Sequence, residues 1–143
     1  MFASFNYDYL PVVYVTFNND INENNFNLFL TEWLTLYLKG ENFIFFLDTR
    51  NITKIPHIKY SIRMSQFIKK LKKENPYHYL QKSFIITNNK KIIYLLDFIF
   101  NIQKPVAPVF IYKTDNHDFN HLLDLSKNIS STNLLNDITY IEP

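Results

Sequence analysis

The chain has 143 residues, 47% of them apolar, 17% aromatic and 20% charged, with a formal net charge of +2. That is one domain's length with enough apolar material for its own core, so disorder is excluded as the main state. The absence of cysteine and the single glycine exclude a disulfide framework, thiolate chemistry and Gly-rich phosphate loops.

Residues 2–9 read as a short edge strand and residues 11–17, PVVYVTF, as a core strand, because β-branched and aromatic residues cluster there between turn signals. The polar stretch after Phe17 offers Asn22 or Asn24 as a helix cap. Phe26, Phe29, Leu30, Trp33, Leu34, Tyr37 and Leu38 then recur at helical spacing over 24–39, and Gly40 stands where a left-handed stop is needed. Residues 43–48, FIFFLD, are a continuous apolar run of the kind buried on both faces of a parallel sheet. A loop follows, with Pro56 suited to the first turn of the next helix.

In that helix, residues 57–73, Ile58, Ile62, Met64 or Ser65, Phe67, Ile68 and Leu71 make the expected apolar stripe, ended by Asn75-Pro76. Residues 83–87, SFIIT, read as another buried strand. Asn88 or Asn89 caps a helix over 90–102 that turns Ile92, Ile93, Leu95, Leu96, Ile99 and Phe100 inward. Residues 108–112, PVFIY, supply a further core strand, and Asp115 or Asn116 caps a last helix, 117–128. Residues 129–143 form a C-terminal extension with no assigned element. The order β(β)αβαβαβα predicts an α/β class domain over 1–128. Its central, mostly parallel sheet has four or five strands flanked by about four helices.

With PVVYVTF, the first helix, FIFFLDTRNIT closed by Asp48, IPHIKYSIRMSQFIKKLKK, SFIITNNKKIIYLLDFIF and NIQKPVAPVFIY in this order, residues 9–128 resemble the STAS/SpoIIAA-like family of anti-sigma-factor-antagonist type. The chain is also similar to small proteins encoded by large DNA viruses, which suits its wealth of Asn, Ile, Lys, Phe and Tyr, residues with AT-rich codons. The resemblance implies a regulatory interaction module whose loop and helix start after the Asp48 strand meet a partner. In the family's phosphoswitch branch an Asp-Ser-Ser-Gly box opens the second helix. Here Pro56-His57-Ile58-Lys59 occupies that place, so a serine phosphoswitch does not carry over.

Asp48, Thr49 and Arg50 sit where open α/β sheets place ligands, at the C-terminal end of a core strand. An aspartate there can hold a metal or accept a phosphoryl group, although its commoner role is to cap loop amides. His117 and His121 are four apart, a spacing compatible with a metal pair on one helix face with Asp124 or a distant residue as third ligand, but no HExxH glutamate stands between them and an exposed helix surface is the commoner reading. No cofactor is implied, and no nucleophile, base and oxyanion donors combine into a catalytic set, so a non-enzymatic protein is expected.

Charge is unevenly laid out. Residues 1–50 carry two basic against six acidic groups, residues 51–93 ten basic against Glu74 alone, and residues 94–143 three against six. The basic block centres on Lys69, Lys70, Lys72 and Lys73. Lysines near a helix C-terminus also favour the macrodipole, worth about 0.3–1 kcal/mol each.

The leading expectation is a protein-interaction surface made by Asp48, Arg50, Thr53, His57, Lys59 and Arg63, with an unidentified protein partner or a second copy in a homodimer. Two alternatives are an anionic-lipid or membrane-binding protein, with an apolar cavity for an acyl chain as in CRAL-TRIO proteins of similar fold, and RNA binding through the lysine cluster. For the latter, Tyr60, Phe67, Tyr77 and Tyr79 stand near enough in sequence to stack bases. With no visible secretory signal or apolar membrane run, an intracellular, soluble, cytoplasmic location is expected, in the host cytoplasm if the protein is viral.

Overall fold

The computed structural model describes residues 1–143 and places ten elements along them: β1 (Ala3–Tyr9), β2 (Val12–Phe17), α1 (Glu23–Leu38), β3 (Phe43–Asp48), α2 (Ile58–Glu74), β4 (Leu80–Thr87), α3 (Lys90–Ile102), β5 (Val109–Lys113), α4 (Phe119–Asn128) and β6 (Ile138–Ile141). The six strands form one sheet in sequential order. β2, β3, β4 and β5 are parallel, while β1 and β6 join antiparallel at the two edges. The α/β expectation holds. The sheet gains a strand over the four or five expected, because the extension 129–143 contains β6, paired to β5 from Tyr112↔Ile138 to Val109↔Ile141. A four-residue strand is too short for its alternation to stand out in sequence.

Three parallel steps in one direction, each crossed right-handedly, place α1, α2 and α3 on the same face of the sheet. Strand alternation supplies that face with Val13, Val15, Phe17, Phe43 and Phe45, which pack against Phe26, Phe29, Trp33, Ile68, Leu71, Ile92 and Ile99 from the three helices. The opposite face presents Val12, Phe46, Phe84, Ile86 and Phe110, covered by Leu122 and Leu123 of α4 with Ile129. Phe119, at the first turn of α4, stacks on Phe46 and meets Tyr9 and Tyr14 edge-on or tilted. The aromatic wealth is thus spent on both sides of the sheet.

The helix ends follow local chemistry. Asn22 and Asn89 cap α1 and α3 by accepting from the amides of Asn25 and Lys91. Asp118, rather than Asp115 or Asn116, caps α4, and His57 caps α2 through Nδ1, leaving Pro56 just outside the helix. Gly40 has a φ of 67°, the left-handed stop read from the sequence. Lys82 crosses to the far end of α4, where its ammonium donates to the carbonyls of Lys127 (2.7 Å) and Ile129 (2.9 Å). Burial pushes its pKa down.

Two helices are rotated relative to the sequence reading. In α1, Leu36 is buried while Leu34 and Leu38 are exposed. In α2 the change is larger. Tyr60, Ser61, Ser65, Ile68 and Leu71 are buried, whereas Ile58 and Ile62 are 53% and 42% exposed. The aliphatic pair stands outside and two serines stand inside. Polar contacts accompany this rotation: Lys59 Nζ and Arg63 Nη1 reach Glu23 of α1 at 3.1 and 2.5 Å, and Ser65 Oγ, 3.0 Å from the Ser61 carbonyl to which it donates, stands 3.4 Å from the Ile99 carbonyl of α3.

Near the C-terminal end of α1, the Tyr37 hydroxyl and His78 Nδ1 lie 2.9 Å apart. Burial pushes the phenol up to about 12, while burial and the nearby Lys72 lower the His78 pKa. A His whose folded pKa lies below its unfolded value of about 6.5 costs nothing while neutral in both states. It destabilises the fold once acid protonates the unfolded chain preferentially. The urea midpoint should therefore fall between pH 7.5 and pH 5, and His78→Phe should flatten that change; an equally steep fall in the variant would assign it to other groups.

Candidate functional site

The C-terminal end of the parallel strands draws together most of the residues singled out after β3. Asp48 and Arg50 form an ion pair, Nη2 to Oδ2 at 3.1 Å, with the two side chains only 13% and 12% exposed. Asp48 Oδ1 also accepts from the Arg50 amide at 3.0 Å, the loop-capping role, and the Tyr14 hydroxyl stands 3.5 Å from Oδ2. Burial, then the Asp48 carboxylate, raise the Tyr14 pKa. Arg50 Nη1 donates onward to the Asn116 carbonyl at 2.5 Å, tying β3 to the loop before α4. The Asp48 carboxylate is occupied at both oxygens, so the pair positions the loop.

The rest of the loop and the start of α2 lean on the segment leading into α1 and on its first turns. Thr53 donates its amide to Asn19 Oδ1 (3.0 Å) and accepts from Asn19 Nδ2 (2.7 Å). Lys59 and Arg63 share Glu23, and Arg63 also bonds Asn27 and lies over the Phe26 ring. His57 is exposed and occupied by its cap. His117 lies before α4, so it does not share a helix face with His121. No three His, Cys, Asp or Glu side chains cluster as metal ligands, and no helix is long and apolar enough to cross a membrane.

What sequence periodicity missed is the outer α2–α3 face. On α3, Tyr94, Phe98 and Ile102 recur every fourth residue and are exposed, Tyr94 by 67%. On α2, Ile58 and Ile62 project beside Ser61 and Ser65, on the side toward α3 rather than toward α1, which Lys59 and Arg63 hold. The two helices run parallel, each antiparallel to the strands, and the Ser65–Ile99 bond sets their relative level. Three and seven residues back from that bond, Ile62 stands near the level of Leu96 and Ile58 near that of Ile92, each two residues from the level of Phe98 or Tyr94. Ile58, Ile62, Tyr94, Phe98 and Ile102 therefore make one apolar strip along the groove between the helices.

Lysine rims this strip. Lys69 and Lys73 project from the outer side of α2, and Lys90 and Lys91 from the first turn of α3, all exposed and none in an ion pair. Lys70 meets only Glu74, at 4.0 Å, and Lys72 is half-buried and unpaired. The signal was present in the sequence as an every-fourth-residue repeat beside Lys90 and Lys91. It was masked because α3 also carries a second, inward apolar stripe.

Fold and site together define a single-domain α/β protein with a sequential six-stranded sheet, three helices on one face and a basic, apolar-centred helix pair on its outer surface. In comparisons with known proteins, the chain matches no protein-family model, no curated protein and no solved structure at significance.

The Asp48–Arg50 pair gives a direct test of its structural role. Asp48→Ala or Arg50→Ala alone should cost about 3 kcal/mol by leaving a charge buried and unpaired, and the double variant should cost clearly less than the two single losses together. Urea unfolding of the four proteins measures this; additive losses would mean that the two side chains act independently.

Proposed function

We propose that the protein is a non-enzymatic interaction module of the STAS/SpoIIAA-like class, and that it docks an acidic amphipathic helix in the α2–α3 groove. The observation that carries this reading is the exposed apolar strip of Ile58, Ile62, Tyr94, Phe98 and Ile102 framed by unpaired lysines. A helix laid in a groove presents anchors at every third or fourth position, which is the spacing of this strip. The lysine rim fits carboxylates on the partner's flanks and steers its approach. The loop after β3 contributes less directly: Asp48, Arg50 and Thr53 fix where α2 begins and so where Ile58 stands. The class assignment draws support from the β(β)αβαβαβα order and the three same-sided crossovers.

Titration with a designed Leu/Glu amphipathic peptide, followed by heteronuclear NMR, tests the reading. Resonances of Ile58, Ile62, Tyr94, Phe98 and Ile102 should move, and affinity should fall as salt rises. Ile62→Asp with Phe98→Asp, both at exposed positions, should weaken binding about tenfold or more without loss of fold. A Leu/Lys peptide of the same pattern should not bind. Preferential binding of RNA or of anionic vesicles to the same residues, with the acidic peptide inert, would replace this reading by one of those partners.

A further inference from the structure

Beneath α2 the apolar face of the sheet is not filled. A cavity of about 150 Å³ lies there, and 21 of its 26 lining residues are hydrophobic. Its origin is the rotation of α2: Ser61 faces inward, Ser83 lies below it on β4, and Ala107 closes the end before β5, three small side chains where a core needs large ones. Leu47 shows the result. It lies on β3, a strand paired on both sides, and faces the helices, yet it is only partly buried. Apolar walls give water too few partners, so a space of this size favours a molecule such as benzene over water.

Volume narrows the occupant. Sites for drug-sized ligands run to about 300–1,000 Å³, so this cavity does not accommodate a full-length acyl chain. It suits a ring or short chain of about six to eight carbon atoms. Trp33 borders the cavity, but its indole Nε1 is closed off from any water-sized space, so the indole offers an occupant no hydrogen bond.

We propose that the cavity between α2 and the sheet binds a small, neutral, apolar molecule of about six to eight carbon atoms. The site is separate from the α2–α3 surface, since Ile58, Ile62, Tyr94, Phe98 and Ile102 do not line it.

Calorimetric unfolding of the full chain with ethylbenzene as the probe tests this. Ethylbenzene at tenfold its Kd should raise Tm by about 3–5 °C. Ser83→Val and, independently, Ala107→Leu should abolish that response while raising the ligand-free Tm, as filling a void does. No response of the full chain, or an unchanged response in both filled variants, would overturn the site.

Discussion

The handedness of the β-crossover governs this molecule. Four parallel strands laid in sequence order, each step right-handed, send α1, α2 and α3 to one face and leave α4 alone on the other. The helix-rich face must then share its sheet among three elements, and α2, the middle one, has neighbours on both flanks. On one flank Lys59 and Arg63 reach Glu23 of α1, and on the other Ser65 stands beside the Ile99 carbonyl of α3.

That rotation has two results from one cause. Turning Ile58 and Ile62 outward builds the apolar strip on the surface, and turning Ser61 and Ser65 inward removes volume from the core. A helix set about one residue's turn differently would hide the isoleucines and close much of the cavity. Surface and interior are thus complementary records of a single angle.

Element type and order were legible in the chain because the signals are local and strong: FIFFLD and PVVYVTF as strands, Gly40 as a stop, Asn22 and Asn89 as caps. Which face of α2 is buried was not, since hydrophobic periodicity ranks Ile58 and Ile62 above Ser61 and Ser65, and nothing in the sequence shows that Glu23, far away in the chain, would claim Lys59 and Arg63. β6 escaped for another reason. Its four residues form a strand only because β5 offers an open edge to pair with. Around Asp48 the residues were singled out by position alone; their mutual satisfaction depends on Asn116 and Tyr14, brought in by tertiary structure.

The bond from Arg50 to the Asn116 carbonyl joins the end of a central strand to the loop that leads into the only helix on its side of the sheet. In mechanical terms it resists shear. For α4 to slide along the strands, a charge-assisted bond would have to be stripped at one end while Lys82 lost its two carbonyls at the other. A ten-residue helix held at both ends moves with the sheet as one body, so deformation of the fold is directed to the opposite layer, where packing is loosest.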